Sequence, residues 1–353
     1  MIEATNQGVD LIRTTISYNL TLNPNVENLI LLGKSNLNAT GNSLDNELTG
    51  NTSKNTLNGG IGKSTSSDTM VGGGGNDVYI VNHKRDVIVE LNKEGIDLVL
   101  SRANYTLSDN VENITLTDGS KNGGYANTSA TGNSLNNIIK GNAGNNTLNG
   151  AAGADKMIGG KGDDTYYVDY VRDIVFERVS EGKDEVHSTI NYALGANIEE
   201  LFLIGEAIKG TGNHLNNFIS GNHLNNILSG GAGNDEILGG LEQDTLTGGS
   251  GADTFVFRAT EESLFGYTAD LITDFKVKEL DRIDLTYIDA NTLLSGNNAF
   301  NFIGNALFSG VAGELRFDVQ THSVLGDTNG DGIAELQIQL AGVTSLQSVN
   351  IFL

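Results

Sequence analysis

The chain has no cysteine, no tryptophan and a single proline, Pro24, and aromatic residues make up only 6% of it. Without cysteine there is no disulfide framework, no thiol nucleophile and no cysteine-ligated metal. With one proline, the turns fall to glycine, which supplies 46 of the 353 residues. So few aromatics exclude a broad mixed core and fit a thin aliphatic one, as in stacked coils. Long hydrophobic runs are missing too: no stretch approaches the roughly 20 apolar residues of a membrane-spanning helix. Basic residues are scarce, 21 against 44 acidic, for a formal charge of −23. That balance opposes nucleic acid and insertion at anionic membranes, and it suits divalent cations. The opening Met1-Ile2-Glu3-Ala4-Thr5-Asn6 has neither the basic nor the apolar region of a cleavable signal peptide, so no leader of that kind is expected.

Catalytic patterns are also lacking. The five histidines (His83, His187, His214, His223, His322) show no i, i+4 pairing, so no His-Glu-x-x-His zinc helix exists. His214 and His223 sit nine apart, in successive repeats, and read as exposed turn residues. No Gly-x-Ser-x-Gly elbow occurs. Carboxylates are numerous enough for a glycosidase-like pair. Nearly every well-placed aspartate, however, belongs to a repeat, and the segment reads as non-enzymatic.

What the chain has instead is repetition. Gly230-Gly231-Ala232-Gly233-Asn234-Asp235-Glu236-Ile237-Leu238 is followed by two further nonapeptides, beginning Gly239-Gly240 and Gly248-Gly249-Ser250-Gly251 and placing Asp244 and Asp253 at position six. Six turn residues and three strand residues make one half-coil. Glycines allow positive φ and bare carbonyls, and the aspartate adds the charge that a hard, oxygen-seeking cation requires. Two half-coils complete a turn, so residues 18 apart stack: Asp235 on Asp253, Asp244 on Asn226, Asp155 on Asn137 and Asp164 on Asn146. Earlier rows carry Asn46, Asn55, Asn137, Asn146, Asn217 and Asn226 where later ones carry Asp68, Asp77, Asp155, Asp164, Asp235, Asp244 and Asp253. A neutral amide donates as well as accepts but cannot neutralise a cation. The asparagine rows are therefore expected to form ladders, and the aspartate rows to bind metal. Among the glycine rows, the third block pairs aspartate with aspartate at this spacing, so it is expected to hold the best site, and the other blocks, with one carboxylate per ion, weaker ones.

A longer period overlies these rows. Glu3, Glu90 and Glu177 recur every 87 residues, as do Asp10, Asp97 and Asp184. Each unit pairs a strand-rich spacer, such as Asp97-Leu98-Val99-Leu100-Ser101, with a block of nonapeptides. The expected organisation is residues 1–81 and 82–168 as two spacer-plus-block units, 169–257 as the third and best matched, and 258–353 as a β-rich cap. Met1 aligns with Ile88 and Val175, inside a strand, so the sequence reads as the later part of a longer protein. In the cap, Thr260-Glu261-Glu262-Ser263 could start a short helix, and Asp289 to Gly296 is expected to form one of one to two turns.

The nonapeptides resemble the RTX calcium-binding repeat, and the whole reads as an all-β parallel β-roll. Gly251 to Phe257, Asp270-Leu271-Ile272-Thr273-Asp274-Phe275, Asp281-Arg282-Ile283-Asp284-Leu285, Gly313 to Phe317 and Gly326 to Gly332 resemble the C-terminal half of serralysin-type secreted metalloproteases. That resemblance implies several calcium ions that drive folding outside the cell, and an uncleaved C-terminal signal read by a type I ABC exporter. It also implies weaker ligands at Asp274 and Asp281, although Lys276-Val277-Lys278-Glu279 replaces the family's glycine there. Asn350 stands before Ile351-Phe352-Leu353 where the family has an acidic residue. The tail also resembles calcium-binding modules attached to alginate epimerases, so an extracellular polysaccharide remains open as an alternative ligand. The basic residues of the chain (Lys84-Arg85, Lys121, Lys140, Lys161, Arg172) are scattered and do not form the stripe such a polymer needs. Asp327-Thr328-Asn329-Gly330-Asp331-Gly332 begins like an EF-hand loop, but position twelve is Ile338; a calcium loop and a hairpin turn both stay open.

Overall fold

A computed structural model describes residues 8–60, 66–118, 127–266 and 268–353. Glu3 and Lys121 lie outside them. The chain divides into two compact units between Gly182 and Lys183, within the third spacer. Each is an all-β parallel solenoid, and regular helix among the described residues amounts to four short 3₁₀ turns.

The local rule is simple. Each half-coil contributes a strand of about three residues whose central side chain points inward and whose neighbours point out. Leu48, Leu57, Met70, Ile139, Leu148 and Met157 are such central residues in the first unit, and none is exposed to solvent. Ile219, Leu228, Ile237, Leu246 and Phe255 line the second unit in the same way. Burying one such side chain contributes about 2 kcal/mol. With about one inward residue per nonapeptide half-coil, the core is two thin facing files, one from each sheet, which is why so few aromatics suffice.

In the first unit, Leu11–Thr14, Asn28–Leu31, Glu47–Thr49, Thr69–Val71 and Val87–Val89 form a five-stranded parallel sheet. A nine-stranded parallel sheet runs from Tyr18–Asn19 through Val78–Val81 and Leu98–Ser101 to Ile174–Val175. Within the blocks, the register is the expected 18 residues: Ile138 pairs with Lys156 and Thr147 with Thr165.

The second unit keeps that register from Phe218 to Glu236 to Thr254, and from Ile227 to Thr245. The roll does not stop near Phe257, as the end of the repeats suggested. Thr254–Val256 pairs in parallel with Arg282–Asp284, which pairs with Ile351–Phe352. Thr245–Ser250 is followed by Asp270–Ile272 and then Leu336–Leu340, again in parallel. The tail therefore adds coils to the same two sheets, with loops inserted between rungs. Glu314–Asp318, Ser323–Asp327 and Leu336–Leu340 form an antiparallel meander on that sheet.

The helix expected over Asp289 to Gly296 is absent. Asp289 Oδ1 instead accepts from the backbone N–H groups of Asn291 and Asn298, at 3.2 and 3.1 Å, closing a compact loop. Thr260–Glu262 makes a single 3₁₀ turn.

Candidate metal centre

The asparagine rows are complete without any ion. The Asn217 side-chain oxygen accepts from the backbone N–H of Asn213 at 2.7 Å, while its Nδ2 donates to the carbonyls of Ile198 and Glu199 on the preceding coil. Asn226 does the same with Asn222 and Ala207, Asn55 with Asn51 and Leu37, and Asn146 with Asn142 and Thr128. The second position of these rows is asparagine too: Asn42, Asn133 and Asn213 also donate to carbonyls of the preceding coil. Every such row supplies two amide donors to the coil before it.

The aspartate rows lose both donors. Position two becomes glycine (Gly231, Gly240, Gly249) or, in the Asp155 row, Ala151, and position six becomes a carboxylate that can only accept. One oxygen of each is satisfied by the preceding coil. Asp235 Oδ1 accepts from Asn217 N–H at 2.7 Å, Asp244 from Asn226 at 2.7 Å, Asp155 from Asn137 at 2.6 Å and Asp164 from Asn146 at 2.6 Å. The other oxygen, Oδ2, is buried with no hydrogen-bond partner in Asp77, Asp155, Asp235, Asp244 and Asp253. Leaving a buried carboxylate oxygen in that state is costly unless a cation or a proton completes it. The structure meets this chemistry with oxygen donors alone, which suits a hard cation such as calcium.

Two kinds of glycine shape the turn. Gly231 and Gly233, with φ of 107° and 116°, adopt a backbone that L side chains rarely take. The first glycine of each row acts differently: a Cβ on Gly230, Gly239 or Gly248 would fall on Oδ2 of Asp235, Asp244 or Asp253. These glycines hold open the space beside the orphaned oxygen.

Burial dominates the electrostatics. It pushes the Asp235 carboxyl up to about 7, with repulsion from Asp253 adding and the Asn217 N–H opposing. Asp244 and Asp68 rise to about 7 for the same leading reason, and Asp77 and Asp155 to about 6. In the tail Asp270, fully buried and with a partnerless Oδ2, is driven to about 9 by burial and then by Asp244.

The expectation that only the third block stacks acid on acid is corrected by the geometry. Asp235 N–H donates to Asp253 Oδ1 at 3.0 Å as predicted. Yet Asp77 stacks on Asp97, Asp155 on Asp173, Asp244 on Asp270 and Asp253 on Asp281, at 2.7 to 3.1 Å, and Asp68 on Asp86 at 3.2 Å. The partners come from spacer and tail turns, outside the glycine rows. Asp86 and Asp173 are already satisfied, each accepting two N–H bonds from its own turn. Glu90, unremarked as a ligand in the sequence, joins Asp77 and Asp97: one oxygen from each lies within 4.8 Å of the others.

Asp274 and Asp281 do reach the last repeat. Asp274 accepts from the N–H groups of Gly248 and Gly249 at 2.9 and 3.0 Å, and Asp281 from Asp253 and Lys276 at 3.1 and 2.7 Å. Both are therefore occupied by backbone donors. The Lys276 ammonium donates to the Gly249 carbonyl and lies 3.3 Å from Glu279, placing a fixed positive charge on this turn.

Asp327, Asn329 and Asp331 lie in the turn joining Ser323–Asp327 to Leu336–Leu340, so the segment is a hairpin connection. Asp327 accepts from Gly330 and Gly332 at 2.6 and 2.9 Å, and Glu335 accepts from Thr328 and Asn329 at 2.7 and 2.6 Å. Glu335, rather than position twelve of the loop, sits beside Asp327 and Asp331.

The described family RTX calcium-binding nonapeptide repeat (4 copies) matches residues 40–79, 131–166 and 216–255. No curated protein matches the chain. The three matched stretches are the three blocks in which asparagine rows give way to aspartate rows, and the chain carries RTX calcium-binding nonapeptide repeats within a parallel β-solenoid.

Proposed function

We propose that this chain is the calcium-dependent folding and export region of a larger secreted protein, non-catalytic in itself. The partnerless, buried Oδ2 atoms of the aspartate rows carry the reading. Each would be ligated by calcium together with carbonyls of the glycine turns, and ligation would couple to folding because the site exists only when coils stack. Extracellular modules of this kind bind with dissociation constants on the order of 10⁻⁴–10⁻³ M, so low cytosolic calcium leaves such a chain unfolded and calcium outside the cell folds it. An acidic chain without disulfides can then pass through a type I ABC exporter.

The C-terminal residues fit this order of events. Ile351 is buried in the last rung, and Asn350 Nδ2 donates to the Asp281 carbonyl at 3.1 Å. A carboxylate at 350 could not make that bond. The terminal segment is thus available to an exporter while the roll is unfolded and becomes sequestered once calcium folds it.

Limited proteolysis and co-expression test the proposal. The chain should be degraded in chelator, resist protease in millimolar calcium, and leave the cell when a type I system is supplied. Equal protease resistance in both conditions rejects calcium-coupled folding, and retention in the cell rejects export.

A further inference from the structure

The cluster at Asp77, Glu90 and Asp97 lies where the first nonapeptide block meets the second spacer. Asp77 ends the turn Gly72-Gly73-Gly74-Gly75-Asn76-Asp77. The next turn on that side, Glu90-Leu91-Asn92-Lys93-Glu94-Gly95-Ile96-Asp97, begins with glutamate where a repeat has glycine. Asp77 N–H donates to Asp97 Oδ1 at 2.7 Å, fixing the two turns in register. Glu90 is then aimed inward. Its Oε1 accepts from the Tyr79 hydroxyl, while its Oε2 and Asp77 Oδ2 are buried with no partner. Glu90 is 5% exposed, Asp77 and Asp97 1%, and Tyr79 0%.

Gly72 completes the enclosure. A Cβ there would meet the Tyr79 hydroxyl, Glu90 Oε1 and Asp77 Oδ2 together, so the missing side chain leaves an opening lined by three oxygens. The arrangement is repeated: 87 residues on, the Tyr166 hydroxyl donates to Glu177 Oε1, and a Cβ on Gly159 would meet both Asp164 Oδ2 and that hydroxyl.

We propose that Asp77, Glu90 and Asp97 bind one calcium ion in a closed site whose deciding ligand, Glu90, is supplied by the spacer. This rests on the calcium reading above but differs from a nonapeptide site in its third carboxylate. Oxygen donors alone favour a hard cation. Burial leaves little room for the several waters that magnesium retains, and three carboxylates raise affinity relative to two. The 87-residue unit then has a physical purpose: its glutamate closes the block that precedes it.

The test counts ions on the whole chain by calcium titration calorimetry, wild type against Glu90→Gln. The variant should bind one ion fewer while keeping the circular dichroism of the calcium-saturated fold. An unchanged count overturns the proposal and leaves the nonapeptide sites standing, whereas a wild type that binds no calcium overturns both. Should Glu90→Gln fail to fold, Tyr79→Phe decides, because it keeps all three carboxylates. With terbium as the probe, excited through tyrosine in a chain without tryptophan, Tyr79→Phe should bind as many ions as wild type but lose part of the sensitised emission. Emission equal to wild type overturns the proposal.

Discussion

Asn217 and Asp235 occupy the same place on successive coils, joined by a 2.7 Å bond from Asn217 N–H to Asp235 Oδ1, but only the asparagine can donate to the coil before it. Within one block the roll passes from rows closed by amides to rows that require something else. The amide Nδ2 and a bound cation are alternative solutions to one problem, the acceptor oxygens crowded inside a glycine turn.

Replacing the aspartates by asparagine should therefore exchange calcium dependence for intrinsic folding. Asp235→Asn with Asp253→Asn removes two buried charges and adds two donors. Without calcium, the double variant should show more β-structure than wild type by circular dichroism, and it should bind fewer ions. A variant as unfolded as wild type in chelator would contradict the equivalence.

Raising the pH should weaken the calcium-free fold. Asp68, Asp235 and Asp244 are pushed up to about 7, and Asp77 and Asp155 to about 6, chiefly by burial. A carboxyl with a folded pKa above its unfolded value keeps a proton in the fold that it releases on unfolding. Its contribution is complete below the unfolded value of about 4 and is lost as pH climbs through the folded value. In chelator, circular dichroism should show more β-structure at about pH 5 than at about pH 7.5. Calcium binds the ionised form, so saturating calcium should reverse or flatten that trend. The same slope with and without calcium would count against ligation by these groups.

The first glycine of a repeat should tolerate no side chain. In Gly239→Ala the new methyl falls on Asp244 Oδ2. Overpacking of this kind costs about 1–3 kcal/mol, and the displaced carboxylate should also lose its ion. A raised calcium midpoint together with a lower melting temperature in calcium is expected. Wild-type behaviour would mean that the space beside Oδ2 has no role.

Truncation at Val349 should damage the fold as well as any signal. Ile351 pairs with Ile283, Phe352 with Asp284, and the Arg282 guanidinium lies 4.6 Å from the Phe352 ring centre. Deleting residues 349–353 strips the last rung from an otherwise continuous sheet. The calcium-loaded chain should melt lower than wild type, with amide exchange fastest around Arg282–Asp284. An unaltered melting curve would show that the terminal strand adds nothing to the roll.

The roll itself was plain in the sequence, because glycine turns and single inward residues repeat at fixed spacing and 18-residue stacking follows. The asparagine ladders were legible for the same reason. Acid partners beyond the blocks were legible only in part: Asp86 and Asp173 lie 18 residues after Asp68 and Asp155, but in turns without the glycine pattern. Asp77 meets Asp97 and Asp244 meets Asp270 across intervals longer than 18 residues, through turns without the glycine pattern. The recurrence of Glu90 and Glu177 every 87 residues was the available signal, but spacing alone does not tell which face a side chain takes. Likewise, the loops inserted before Arg282, Leu336 and Ile351 hide the register that carries the sheet to the end of the chain.

The most direct test of the central claim is a far-UV circular dichroism titration of the whole chain from chelator into millimolar calcium, with magnesium at equal ionic strength as the control. Calcium should convert a largely disordered spectrum into a β spectrum in a cooperative, chelator-reversible transition, and magnesium should not. A β spectrum already complete in chelator and unaltered by calcium would contradict the account.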